Sequence, residues 1–451
     1  MKRSLLLILA LAALLCICLA SGCDVKEMPT EQTPTETETE DTTPKDGRFR
    51  SDELGKYVIV YGGGTDYYSL ALKLERAVYA KYGQTILTVR DSRSTPSEYE
   101  ILLGDTNRRD TYGRVMEYSV SVDGKTLVID AGGAFSAEEA VNYICEDLLN
   151  GDEFALESGE YCKRSFLSEP TPVTDGSAAR VMSANLLAQS FAGDSYRSPE
   201  YRAEIFAGML VTYTPDVLGL QETDAGWNNA LDKYLQKIEK AHGVTYTRLL
   251  ATYDGKLNYT SLLYRSDKLK VNESGLTPFS WWVDAAFSHS YHMRNLSWAS
   301  FSPLDDTDKT FIVANTHWSY RTEHADGKTY LSGSERPIEA NELRLQCVNE
   351  TSEILSALLQ SHPQTPIFLT GDFNTSLSVF SSPGWTPVQF SMISEEARES
   401  GSSLSTVPET GHFDHIFGAG DYSIKRYEFF KDSELHALLT DHPFVYADLD
   451  F

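Results

Sequence analysis

Pro366-Ile367-Phe368-Leu369-Thr370-Gly371-Asp372-Phe373-Asn374-Thr375 is the stretch whose reading decides the fold. Its apolar start reads as a short buried strand, and Gly371 breaks the run. Asp372 and Asn374 follow two residues apart, so an extended backbone turns both to one side. Taken alone, Gly-Asp-Phe-Asn also describes an Asx turn that closes a strand. The rest of the chain decides between these readings, because other strand ends carry similar polar groups.

Arg180 to Leu186 is a strand that ends in Asn185, and Pro215 to Thr223 is one that ends in Gln221-Glu222. Tyr201 to Leu210 between them is helical. Tyr259 to Arg265 is a further strand, and so is Asn295 to Phe301, which follows Arg294. Phe311 to Trp318 ends in Asn315-Thr316-His317, and a long helix runs from about Ile338 to Leu359. Last come Phe413-Asp414-His415-Ile416-Phe417 and Thr440-Asp441-His442 before a terminal apolar run. Each Asp-His pair taken alone describes a satisfied hydrogen-bond pair. A set of polar groups at the ends of apolar strands asks for common partners, and a metal with a phosphate would supply them.

The order of these motifs resembles the endonuclease/exonuclease/phosphatase superfamily, the fold of pancreatic deoxyribonuclease. The resemblance covers residues 180–451 and rests on Asn185, Gln221-Glu222, Thr316-His317, Gly371-Asp372-Phe373-Asn374, Asp414-His415-Ile416 and Asp441-His442. It implies an α+β fold, a two-sheet αβ sandwich with the site at one edge, and metal-dependent hydrolysis of phosphate esters, phosphodiesters first, by in-line attack of an activated water. Being fold-level, it speaks to reaction class before substrate. Under that reading Glu222, Asn185 and Asp441 hold Mg²⁺, with Mn²⁺ as the alternative, since hard oxygen donors suit such an ion. Asp372 orients or deprotonates the water, Asn374 bonds a phosphoryl oxygen, and His317 donates to the scissile phosphate. His442 is a general base or an imidazolium, with its tautomer fixed by Asp414. Arg294 is a candidate phosphate contact.

The chain begins with Lys2-Arg3, an apolar run from Leu5 to Ala20, and Ser21-Gly22-Cys23. This describes an export signal over 1–22, too short to span a bilayer, which needs about 20 apolar residues. Leu19 to Cys23 resembles a bacterial lipobox with Cys23 as the lipidated residue. Residues 23–50 are the expected disordered Thr/Glu/Pro-rich tether: Asp24 to Asp46 carries eight acids against two bases and almost nothing apolar. Together they imply a protein exported and lipid-anchored outside the bacterial membrane.

Residues 51–167 read as a small α+β accessory domain, and 168–179 as a linker. Strands at Tyr57–Tyr61, Ile86–Val89 and Tyr99–Gly104 precede a hairpin around Asp123-Gly124. Ser136 with Glu139 three residues on reads as a capping box opening a helix to Leu149. Glu100 to Arg108 with Ala131-Gly132-Gly133 resembles the small domain that precedes the barrel in some bacterial hexosaminidases, which implies an alternative: a non-catalytic lipoprotein that binds envelope glycan. Gly62-Gly63-Gly64 lacks the residues of a P-loop or dinucleotide fingerprint and reads as a tight turn.

The formal charge is −26, or −28 without Lys2 and Arg3 (37 bases against 65 acids). This disfavours loose charge-driven nucleic-acid binding, which needs Lys and Arg to replace counterions, but leaves an extracellular nuclease with a local cleft open. The expected substrates are phospholipid headgroups, sugar phosphates or nucleic acid; no protein partner is evident. Trp281-Trp282 and the Ser319–Pro337 insertion are candidate specificity elements. Cys145 and Cys162 could pair in an oxidising exterior.

Overall fold

Alternation along the strands assigns each residue to a layer. Val181, Val217, Leu262, Val445 and Ala447 from one sheet meet Ala299, Phe301, Val313, Phe368 and Ile416 from another in a single buried core. The intervening positions Met182, Ala184, Leu218 and Leu220 face outward onto two helices. Leu296, Ile312, Ala314, Ile367 and Leu369 likewise face a helix on the far side. Period-2 patterning on both faces of two sheets leaves one arrangement: helix, sheet, sheet, helix.

The computed structural model describes residues 47–451 apart from 110–112, 281–292, 320–327, 331–336, 376–379, 381–383, 385, 388, 401–402, 406–411 and 431–433. The export signal, Cys23, Trp281-Trp282 and most of the Ser319–Pro337 insertion, with Arg321, His324 and Arg336, therefore lie outside the described residues. Within the stretch read as tether, Phe49–Arg50 is a strand paired with Ala155–Leu156, and Phe49 is buried. The end of that stretch is thus part of the fold.

Residues 47–178 fold around a six-stranded sheet: β1 (Val58–Tyr61), β2 (Leu87–Arg90), β3 (Glu100–Leu103), β4 (Glu117–Asp123), β5 (Thr126–Ala131) and β6 (Gly159–Ser165), in the order β2-β1-β3-β5-β4-β6. Helices α1 (Thr65–Tyr82) and α2 (Ala134–Tyr143) pack on it through Leu70, Leu74, Val78, Ala137 and Val141. Cys145 and Cys162 are separate free thiols.

The sandwich follows. Its first sheet orders β9 (Tyr246–Leu249), β10 (Leu262–Arg265), β8 (Val217–Gln221), β7 (Ala179–Asn185), β19 (Phe444–Asp450), β18 (Ser423–Phe430) and β16 (Ser403–Ser405). Its second orders β11 (Leu269–Pro278), β12 (Asn295–Pro303), β13 (Phe311–His317), β14 (Ile367–Asp372), β17 (Asp414–Ala419) and β15 (Ser391–Met392). Helix α3 (Pro199–Tyr213) starts at the Ser198 cap with proline in its first turn, and α4 (Ala225–His242) starts at Asp224, whose side chain accepts from Trp227 N–H. The second sheet is covered by α5 (Ala340–Ser361) through Val348, Leu355 and Leu358. Among the described residues, no helix is long and apolar enough to cross a membrane.

Residues 168–179 do not hang free. Arg180, fully buried, clamps Asp448 through Nε (2.6 Å) and Nη2 (2.8 Å), and donates to the carbonyls of Thr171 and Pro172. Asp448 also accepts from Thr174 N–H and its hydroxyl.

The junction between the small sheet and the sandwich turns on one buried acid. Gly133 is the N-cap of helix α2, not Ser136 as the capping-box reading has it. Ser136 is the third helical residue, its hydroxyl accepts from Gly133 N–H (3.1 Å), and its own N–H and O–H donate to Glu204 of α3 at 3.1 and 2.6 Å. Glu204 also accepts from Met116 N–H at 3.0 Å. A partner distant in sequence does the capping, which is why a local motif misplaced the helix start. A Cβ on Gly133 would lie 2.1 Å from the Tyr234 hydroxyl and 2.4 Å from Glu204, so the seam is closed. Glu204→Leu removes the acceptor of three buried donors, and stability should fall by about 3 kcal/mol or more. Urea unfolding checks this; a loss below about 1 kcal/mol would show the carboxylate to be dispensable.

Candidate active site

Strand register builds the site. In the parallel pair β7–β8, Gln221 stands opposite Asn185, so Glu222 emerges beside that asparagine just past the strand. In the second sheet His317 stands opposite Asp372, and Asp372 opposite Asp414. Each sheet thus brings its own polar set to one edge of the sandwich, and the two sets meet there.

Asn185 is the meeting point. Its Nδ2 donates to Asp372 Oδ2 at 2.9 Å and lies 3.4 Å from Glu222 Oε1 and 3.5 Å from His442 Nε2. Its Oδ1 accepts Leu187 N–H (2.9 Å), which fixes the amide's orientation. Below the site, Gln221 Nε2 crosses the sandwich to Asn315 Oδ1 (2.6 Å), and Asn315 Nδ2 donates back to the Leu220 and Ser261 carbonyls. Gly219 makes room for this brace: a Cβ there would sit 2.0 Å from Thr370 Oγ1 and 2.5 Å from Asn315 Oδ1.

Three non-glycine residues at these strand ends have left-handed backbones: Leu187 (φ +54°), Glu222 (φ +64°) and Asn374 (φ +50°). Each such residue costs roughly 1–3 kcal/mol unless its surroundings hold it, and such strain gathers at functional sites. Glu222 is held through its carboxylate, which accepts Ala188 N–H at 2.8 Å. Asn374 is held by its N–H on Asp372 Oδ1 (2.9 Å) and its Nδ2 on Trp318 O (3.0 Å).

Protonation follows from the donors. Arg294, buried, presents Nη1 to His317 Nδ1 at 2.8 Å. A guanidinium only donates, so Nδ1 carries the lone pair and Nε2 carries the hydrogen. That Nε2 lies 3.2 Å from Asp372 Oδ2. Burial and the Arg294 charge lower the pKa of His317 and keep it neutral. Burial alone would raise Asp372, but His317 and His442 outweigh it and hold the carboxyl well below the usual range. His442 binds Asp414 through Nδ1 at 2.8 Å. Burial opposes the charge of His442, yet Asp414 and Asp372 push it up to about 10. Burial pushes Asp414 upward against the pull of His442. The pair therefore keeps a proton at neutral pH in the protein alone.

One ligand atom each from Glu222, His317 and Asp372 lies within 4.8 Å of the others, a buried group that could hold a metal ion. His317 spends Nδ1 on Arg294 and its Nε2 hydrogen on Asp372, so the donors left for a cation are the Glu222 and Asp372 carboxylates. Two converging carboxylates fit a hard divalent ion. Asp441 stands apart: its side chain is 56% exposed and lies 3.9 Å from His442 Nε2. The structure thus brings together Asn185, Glu222, Arg294, His317, Asp372, Asn374, Asp414 and His442, and sets Asp441 at the rim.

Sequence reasoning did not find Arg202, whose guanidinium lies beneath the loops that carry Asn185 and His442. The signal was present in α3, which is apolar on nearly every side past its first turn and so had to bury two of its three charges, Arg202 and Glu204.

His415 lies among Phe373, Phe380 and Phe417, and packs against His412 with tilted rings whose centroids are 4.8 Å apart. None of the four ring nitrogens has a hydrogen-bond partner among the described residues. Burial lowers His415 to about 3 and His412 to about 4. Unfolded histidines bind protons near pH 6.5 and these do not, so the unfolded state holds more protons between about pH 6.5 and 4. Stability is full above that window and should fall as pH drops through it, by up to about 1.4 kcal/mol per pH unit for each histidine. Urea midpoints against pH, with His415→Phe flattening the slope, test this; a parallel wild-type and variant slope would refute it.

No protein-family model and no curated protein matches the chain. Among solved structures, it is similar to a mannosyl-6-phosphatase of Bacteroides thetaiotaomicron VPI-5482 (21% identity, 61% of this chain, all of that one, TM-score 0.44). It is also similar to an endonuclease/exonuclease/phosphatase protein of Bacteroides vulgatus (20%, 60% and 98%, TM-score 0.44) and to the human Nocturnin catalytic domain (17%, 60% and 94%, TM-score 0.43). Likeness at this level is one of fold and assigns no activity. The solved structures to which the chain is similar include Bacteroides proteins of the endonuclease/exonuclease/phosphatase family.

Proposed function

We propose that this protein hydrolyses phosphate esters, phosphodiesters first, by metal-assisted in-line attack of water. The observation that carries the reading is the convergence, from two separate sheets, of an ionised Asp372, a protonated His442–Asp414 pair and a hydrogen-donating His317 around Glu222 and Asn185. Mg²⁺, or Mn²⁺ in its place, would be held by Glu222 and Asp372, with Asn185 and Asp441 as neighbours, and when bound it neutralises charge on the phosphoryl oxygens. Asp372 is ionised and suited to accept a hydrogen bond from a water and orient it, while its depressed pKa makes it a weak base. His317 offers its Nε2 hydrogen, and Asn374 retains its side-chain oxygen and one hydrogen. His442 keeps a proton that can stabilise charge as it develops.

Charge favours a diester. The described wall sets two cationic groups, Arg294 and the protonated His442, against the carboxylates of Glu222, Asp372 and Asp414, a balance better suited to a singly charged diester than to a dianionic monoester. We also read Cys23 as a lipid anchor that holds the enzyme outside the membrane, which would place phospholipid headgroups and sugar phosphates within reach ahead of long nucleic acid.

The test is hydrolysis of bis-p-nitrophenyl phosphate against p-nitrophenyl phosphate with Mg²⁺ and with EDTA. Diester cleavage abolished by EDTA is expected. Cleavage of the monoester alone would replace the diesterase by a phosphatase, and silence on both would overturn the reading.

A further inference from the structure

Arg202 lies one turn into α3 and is fully buried. Its Nη1 donates to three backbone carbonyls: Leu186 (3.1 Å), Leu187 (2.9 Å) and Leu439 (3.1 Å). Its Nη2 donates to Gln189 Oε1 at 3.0 Å, and the group lies 4.8 Å from the Trp227 ring centroid. The Trp227 indole N–H also donates to Leu187 O (3.0 Å), so the left-handed Leu187 is held from two sides. Leu186 and Leu187 follow Asn185 directly. Leu439 precedes Thr440, whose hydroxyl donates to Asn185 O (2.9 Å) and accepts His442 N–H (3.2 Å). One guanidinium thus ties the loop of Asn185, contributed by β7, to the loop of His442, which leads into β19.

No carboxylate hydrogen-bonds this cation among the described residues. Burial lowers its pKa to about 10, with Asp224, Tyr196 and Asp441 opposing, so it stays charged at neutral pH. A buried cation satisfied mostly by carbonyls is expensive, and a leucine or methionine would pack such a space at less cost. An arginine can do what those cannot: its planar fork of donors reaches carbonyls on two segments at once.

We propose that Arg202 is a positioning residue that fixes the distance between the Asn185 and His442 loops, touching neither substrate nor reacting atoms. Its kinetic consequence rests on the phosphoesterase reading; its structural consequence does not. The tests are Arg202→Met and Arg202→Lys in the full chain, each with two readouts. In kinetics, kcat for bis-p-nitrophenyl phosphate should fall about 100-fold in the methionine variant, the order of loss that a misplacement of about 1 Å brings, while KM moves less than about threefold. Lysine keeps the charge but not the fork, so its kcat should fall about tenfold or more. In hydrogen exchange, amides at 186–189 and 439–442 should exchange at least about tenfold faster, while β7 and β19 keep their protection.

Wild-type kcat in Arg202→Lys, or protection lost evenly across α3 and both sheets, would overturn the proposal and leave Arg202 a core residue. If Arg202→Met does not fold, the lysine variant decides. If the wild-type protein hydrolyses neither ester, the functional reading fails, and the exchange experiment alone judges the tie between the loops.

Discussion

Asp372→Ala should lower phosphodiester hydrolysis by about 10³-fold or more, within the range that loss of a positioned acid–base group brings. The carboxylate accepts from Asn185 Nδ2 and Asn374 N–H and lies 3.2 Å from His317 Nε2 and 3.9 Å from His442 Nδ1. Each of these four groups is a donor, so removal of the carboxylate strands several polar groups at once. Asp372→Asn sharpens the test. The amide has the carboxylate's shape but must turn an NH₂ toward donors, so activity and unfolding temperature should fall together. Steady-state kinetics with calorimetry on both variants checks the pair of effects. Activity retained to within about tenfold in either variant would remove Asp372 from the chemistry.

His442→Gln should cost about 10²- to 10³-fold in kcat, because it removes the proton held between Asp414 and Asp372. The sign of its pH dependence is fixed by its surroundings. Carboxylates push His442 up to about 10, so the charged form predominates below that pH and is lost as pH rises through it. If the imidazolium is the working form, the alkaline limb of the kcat profile reports that loss. Asp414→Asn removes the partner at 2.8 Å, so the limb should move to lower pH while the acid limb keeps its place. A limb that does not move in Asp414→Asn would assign it to another group.

The residues that sequence reasoning placed well are those at the ends of strands. Asn185, His317 and Asp372 close apolar strands, Glu222 follows one and Asp414 opens one, and a polar group at the end of a buried strand is legible because the break in pattern is local. The two-sheet sandwich was implied by the resemblance that these motifs carry, not by the runs themselves. What stayed hidden is held by partners far along the chain. Ser136 looked like a cap because Glu139 stands three residues on, whereas its acceptor is Glu204, 68 residues away. Arg202 reaches Leu439 across 237 residues, which no spacing rule reports. Asp441, read as completing the metal site, stands at the rim with its side chain 56% exposed, 3.9 Å from His442 Nε2. Strand Ser423–Phe430 went unread because its polar start and mixed burial blur the alternation.

The buried acid at the junction has a bearing on how such chains can be recombined. Val115, Met116, Ala134 and Phe135 from the first region share a single core with Tyr201, Phe206 and Leu210 of the sandwich. A cut within 168–179 would therefore not yield two finished pieces; each would carry a raw apolar face, and Glu204 would be left opposite vacant ground. Exchange of the first region with that of another protein would succeed only if the surface around Met116, Gly133 and Ser136 travelled with it. The natural unit of inheritance in this chain is set by that seam and not by the proline-bearing connector.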